Sequence, residues 1–63
     1  MTYAEAVKTL RKKMLLTQME LAEKLGVAFI SVNRWEKGHC EPTMKAKRML
    51  APLFEQYGIK VED

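Results

Sequence analysis

Apolar residues at Tyr3, Ala6, Val7, Leu10 and Met14 follow the i, i+3, i+4, i+7 rhythm of a helix with one buried stripe. Thr2 and Glu5 stand in the S/T-x-x-E relation of a capping box, which marks where that helix starts. Thr17 and Glu20 repeat the device and predict a second helix over 18–25, with Leu21, Ala22, Leu25 and, in part, Met19 on its apolar face. Gly26 ends it, because glycine takes the left-handed conformation without a Cβ clash and lets the chain turn sharply. A third helix over about 28–37 buries Val32 and Trp35, turns Phe29, Ile30, Asn33 and Arg34 outward, and closes at Gly38. Residues 39–42 read as a loop, after which Thr43 caps a last helix with the stripe Ala46, Met49, Leu50, Leu53, Phe54 and Tyr57. Pro52 interrupts that stripe, so the helix either kinks or splits near it, and a kink is the expectation. The tail over 58–63 should be a short end, ordered at first and then frayed. No segment alternates as a strand would, so the prediction is an all-α bundle of four to five helices, with a helix-turn-helix over about 18–37.

A chain of 63 residues fits one domain spanning 1–63 and leaves no room for a second core. Chains this short bury little surface, which makes support from oligomerisation plausible. Cys40 is the only cysteine, so no internal disulfide forms and a reducing, cytoplasmic setting is expected. No apolar run approaches the ~18 residues of a membrane span, and the first residues carry no signal-peptide pattern. The net charge of +3 is informative mainly through its distribution. Between Lys8 and Arg48 lie 10 Lys/Arg against 4 Asp/Glu, whereas the two ends hold 1 lysine and 4 acids. A central positive surface suits a polyanion, although a solvated helix exterior accounts for the same charges.

The informative constellation is Leu21-Ala22, Leu25-Gly26-Val27, then Val32 and Trp35. Two helices crossing at ~90–120° through a 3–4-residue turn need a small residue where their backbones meet, and Ala22 supplies it. Gly26 allows the turn, while Leu21, Leu25, Val32 and Trp35 fill the angle and fix the pitch of the later helix. The run from Thr17-Gln18 through Leu21-Ala22 to Leu25-Gly26-Val27, followed by Val32-Asn33-Arg34-Trp35-Glu36-Lys37-Gly38 and Pro42, resembles the Cro/repressor-type (XRE) helix-turn-helix family. That resemblance implies a lambda-repressor-like fold. In it the third helix lies in the major groove of double-stranded DNA and the second crosses the phosphate backbone.

By the same resemblance, Gln18 meets a phosphate and braces the recognition helix, and Ala28, Phe29, Ile30, Asn33 and Arg34 face base edges. Asn33 can pair bidentately with adenine and Arg34 with guanine, whereas Phe29 and Ile30 can read only thymine methyls or local shape. An apolar pair there departs from the family pattern and equally suits a protein-docking patch. Arg11 and Glu36 match positions of an ion pair tying the first helix to the recognition helix. Lys13, Lys37, His39, Lys45 and Lys47 are candidate phosphate contacts, with exposed solvated charge as the alternative. Glu41 stands where the family often carries a basic residue, and Leu15 replaces a glycine common before the Thr-Gln pair.

His39 and Cys40 do not make a metal site, since a structural zinc needs about four ligands. One histidine and one cysteine in a single loop give no catalytic constellation, so neither enzyme activity, cofactor nor small-molecule ligand is expected. The five methionines read as flexible core filler. The leading reading is a sequence-specific DNA-binding regulator, a repressor, acting as a homodimer through apolar residues near its end, with Phe54, Tyr57, Ile59 and Val61 as the candidates; core packing is the alternative for each and the favoured one for Phe54. The alternatives are an adaptor or antitoxin-like module docking protein through Phe29 and Ile30, and the targeting domain of a larger enzyme. The Met1 start and the acidic tail lean against the last.

Overall fold

Four helices make up the computed structural model, which describes residues 1–62: α1 (Tyr3–Lys13), α2 (Gln18–Leu25), α3 (Phe29–Lys37) and α4 (Met44–Gln56). Three of them begin as the threonines predict. Thr2, Thr17 and Thr43 each accept a hydrogen bond from the backbone N–H three residues on, and Glu5 and Glu20 complete reciprocal capping boxes. α3 differs, because its N-cap is Ala28, which offers no side-chain acceptor.

All four helices end with one device. The residue after each helix, or one beyond it, takes a positive φ, and the next N–H reaches back to the carbonyl five residues earlier: Leu16 to Arg11, Val27 to Ala22, His39 to Arg34 and Ile59 to Phe54. At three ends the left-handed residue is glycine. Between α1 and α2 it is Leu15, at φ 59°.

The core takes Ala6, Val7 and Leu10 from α1, Leu21, Ala22 and Leu25 from α2, Val32 and Trp35 from α3, and Ala46, Leu50 and Phe54 from α4. α3 packs against both α1 and α2, which makes it the element the rest of the bundle positions. α4 continues unbroken through Pro52, so the split does not occur. Proline lacks the N–H that would bond the turn before it, and Pro52 is exposed, so its ring stands outside the packed core.

Two expectations are corrected, on the methionines and on the dimer contact. Four of the five methionines, Met1, Met19, Met44 and Met49, are exposed, and only Met14 packs on the core. The branched and aromatic residues already fill the interior of so small a bundle, which leaves no irregular gap for thioethers. The first part of the tail is packed as expected: Ile59 is buried, Val61 packs on the core, and Glu62 N–H donates to the Met1 carbonyl at 2.9 Å. Phe54 and Ile59 are therefore consumed inside the protomer, with Tyr57 and Val61 packed beside them, which removes most of the apolar area proposed for a dimer contact. Asp63 lies outside the described residues.

Candidate nucleic-acid interface

α3 follows α2 through the short turn at Gly26–Ala28, and two features shape that junction. Ala22 is buried at the contact, and Gly26 sits at φ 70°. The Val27 N–H closes the turn onto the Ala22 carbonyl at 3.0 Å. Val32, Trp35 and Glu36 then face inward, and the opposite surface of α3 carries Ala28, Phe29, Ile30, Arg34 and Lys37, all exposed. Phe29 and Ile30 retain 45% and 55% of their accessible area, so neither is an incidental part of the core.

What fixes α3 from below is a buried polar cluster. The Arg11 guanidinium meets Glu36 in a two-point grip, Nε to Oε2 at 2.7 Å and Nη2 to Oε1 at 3.0 Å. The Glu36 side chain is only 3% exposed and that of Arg11 19%, so this is an interior pair. The remaining Arg11 nitrogen, Nη1, donates to the Leu16 carbonyl at 3.2 Å and ties the α1–α2 turn to the same residue. Burial pushes the Glu36 carboxyl up. The hydrogen bonds from Arg11 and Gln18 and the guanidinium charge outweigh it and hold the group below the usual carboxylate range. Arg11 is pushed up in turn by its hydrogen bond to Glu36, against the opposing effect of burial.

Gln18, the first residue of α2, extends this cluster to the reading surface. Its Nε2 donates to Glu36 Oε1 at 3.2 Å, and its Oε1 accepts from Asn33 Nδ2 at 3.1 Å. The bracing expected of Gln18 thus takes a definite form, two hydrogen bonds onto α3. Asn33 departs from its expected outward position. It is half-buried, because it neighbours Val32 on the flank of α3 that faces the start of α2, within reach of Gln18. Arg34 is exposed as expected.

The candidate phosphate contacts divide. Lys37, His39 and Lys45 are exposed and make no ion pair among the described residues. Lys13 donates to the Tyr57 carbonyl at 3.1 Å and so finishes the C-terminal end of α4. Lys47 pairs with Glu41 at 3.2 Å and lies 4.7 Å from the centre of the Tyr3 ring. Glu41 thereby withdraws a cation from the surface where the family usually adds one. Sequence reasoning missed the contacts of Leu16 and the link between Gln18 and Asn33. The first is a backbone carbonyl and carries no residue signature, and the second depends on the crossing angle of two helices. No group of three or more metal-ligating side chains occurs among the described residues.

A family model described as helix-turn-helix matches residues 7–62. The chain is 40% identical over 55 residues to the HTH-type transcriptional regulator DicA of Escherichia coli, covering 87% of this chain and 41% of that protein. It is 42% identical over 48 residues to an uncharacterized HTH-type transcriptional regulator of Methanocaldococcus jannaschii, covering 76% of this chain and 68% of that one. The chain thus spans about two-fifths of the length of the bacterial relative. No solved structure gives a significant match.

Proposed function

The chain belongs to the helix-turn-helix family, and from that premise we propose that it is a transcriptional regulator that binds double-stranded DNA and reads the major groove with α3. The single observation that supports this best is the division of α3. Val32, Trp35 and Glu36 are locked into the bundle, and an unbroken exposed surface of Ala28, Phe29, Ile30, Arg34 and Lys37 is left to a ligand. Arg34 is the candidate for a guanine contact, and Phe29 and Ile30 for thymine methyls. Lys37, His39 and Lys45 flank that surface and suit phosphates, and Gln18, whose amide already bonds Glu36 and Asn33, has one Nε2 hydrogen left for such a contact. Lys13 and Lys47 are weaker candidates, since each is engaged within the chain. The reading is non-enzymatic and cytoplasmic, with repression the expected outcome of operator occupancy.

A domain of this size makes few contacts, and affinities of ~10⁻⁸–10⁻¹¹ M are reached by pairing on half-sites about one helical turn apart. Homodimerisation on DNA belongs to the proposal for that reason. Selection from a random duplex pool tests it: a palindromic motif is the expected product, and no enrichment refutes sequence reading.

The exposed Phe29-Ile30 pair favours one rival, docking of a protein partner in the manner of an adaptor or antitoxin-like module. Salt separates the two. Log affinity for DNA falls steeply with log salt through counterion release, whereas apolar docking hardly responds.

A further inference from the structure

The exposed surface of α3 changes chemistry along its length. Its N-cap and first two residues, Ala28, Phe29 and Ile30, are exposed and carry no polar side-chain atom. Arg34 and Lys37 follow Ile30 at i+4 and i+7, on the same stripe, and both are exposed. No side-chain hydrogen bond or ion pair holds the Arg34 guanidinium among the described residues. The apolar end offers neither a side-chain donor nor a side-chain acceptor, so its side chains cannot tell a carbonyl from an amino group. They register only added apolar surface.

Resting on the DNA-binding reading above, we infer that Phe29 and Ile30 recognise a C5-methylated pyrimidine as such, 5-methylcytosine as well as thymine, close to a guanine held by Arg34. In the major groove thymine shows O4 and a C5 methyl, whereas cytosine shows an N4 amino group. Carbon 5 of cytosine faces the same groove, so a methyl group added there takes the place of the thymine methyl. A side chain bonded to O4 or N4 would separate the two bases, and Phe29 and Ile30 have no atom with which to do so. Unmodified cytosine then binds weakly, because the apolar pair faces a bare ring edge, and methylation of that carbon restores the contact. Arg34, one turn away, keeps its guanine in either case. Cytosine methylation thereby becomes a signal that raises the affinity of this chain for a site.

The experiment uses the full chain at one salt concentration. Selection from an unmodified duplex pool first locates the site, and the probed position is the thymine that Phe29→Ala or Ile30→Ala desensitises. Four duplexes differ only there: thymine or uracil opposite adenine, and 5-methylcytosine or cytosine opposite guanine. Within each pair the only change is one methyl group, so the purine partner cancels. Thymine over uracil and 5-methylcytosine over cytosine should each be preferred by about 3- to 5-fold, the effect of burying one methyl-sized group. Both ratios should fall toward one when Phe29→Ala and Ile30→Ala are combined, a change that leaves the core intact because both side chains lie outside it. Lys37→Ala should weaken all four duplexes alike and leave both ratios unchanged.

A thymine preference without a 5-methylcytosine preference overturns the inference, since the protein then reads O4 or N4 and not the methyl. Ratios of one for both pairs overturn it too, as do ratios that survive the combined truncation. A selected site with no thymine that the truncations desensitise has the same force. In each of these cases DNA binding still stands. No salt-dependent binding of any duplex by the parent overturns the functional reading itself.

Discussion

The turn that leads into the helix-turn-helix and the turn inside it are built on one plan from different residues. At the inner turn Gly26 takes φ 70°, and the Val27 N–H reaches Ala22 at 3.0 Å. At the outer turn Leu15 takes φ 59°, and the Leu16 N–H reaches Arg11 at 3.1 Å. Glycine meets the first requirement without strain, whereas leucine carries ~1–2 kcal/mol for the Cβ clash of the left-handed region. Burial does not compensate, since Leu15 is 89% exposed. What holds the outer turn is Arg11, which accepts from the Leu16 N–H through its backbone and donates to the Leu16 carbonyl through Nη1. A strained turn can thus be imposed by a neighbour, but its stability then depends on that neighbour. Here the neighbour also anchors α3.

The largest expected effect breaks the comparison at this shared residue. Arg11→Ala strands the buried Glu36 carboxylate and removes the side-chain bond to the Leu16 carbonyl, and should cost ~3–5 kcal/mol against ~0–1 kcal/mol for a surface pair. Domains are stable by only about 5–15 kcal/mol, so thermal melting followed by circular dichroism should show a protein close to unfolded. A variant melting like the parent would show that the pair behaves as a surface one and that the outer turn stands alone.

Acid gives a smaller, graded form of the same test. The folded Glu36 carboxyl is held below its ordinary value, so its contribution is present above the unfolded value of ~4.3 and is lost as pH falls through the folded one. Glu5 is shifted the same way by the Thr2 backbone N–H and hydroxyl, but it is exposed and cannot account for a large loss. Stability of the parent should therefore drop below about pH 4 more steeply than that of Glu36→Gln. Parallel curves would remove Glu36 from the account.

Next in size is the inner turn. Gly26→Ala should destabilise by about 1 kcal/mol or somewhat more, because alanine must enter the left-handed region. A Cβ at Gly26 would meet nothing within 4 Å, so the loss is conformational and not steric. Urea denaturation should show a lower midpoint at unchanged slope. A neutral result would mean that the turn relaxes without glycine and that the two turns do not differ as described.

These two turns also mark what the chain's residues disclose in advance. Threonine caps placed the starts of α1, α2 and α4, and Gly26 and Gly38 the ends of α2 and α3, because each residue type has a local conformational reason to be there. Leu15 was flagged only as a departure from a family pattern, since leucine has no preference for a positive φ and nothing local predicts one. Asn33 shows a different limit. A 3.6-residue period places it between the buried Val32 and the exposed Arg34, and only the crossing of α2 and α3 decides that Gln18 covers it. The tail needed contacts from the far end of the chain, where the Met1 ammonium donates to the Lys60 carbonyl and its own carbonyl accepts from Glu62. The inner face of the helix-turn-helix was thus readable from composition and spacing, while its polar bracing was a property of the packed state.

The smallest expected effect has the opposite sign and sharpens the contrast most. Leu15→Gly relieves ~1–2 kcal/mol of left-handed strain and gives back ~0.4–1 kcal/mol through the freer unfolded chain, for a net gain of about 0.5–1 kcal/mol. In a chain of this size that raises Tm by about 2–8 °C. No packing is lost, because the leucine side chain touches little. The gain should grow in an Arg11→Lys background, where a single ammonium cannot grip Glu36 at two points and also hold the Leu16 carbonyl. Equal gains in both backgrounds would show that Arg11 braces α3 alone, and that Leu15 keeps its conformation through the backbone bond from Leu16 without help from the guanidinium.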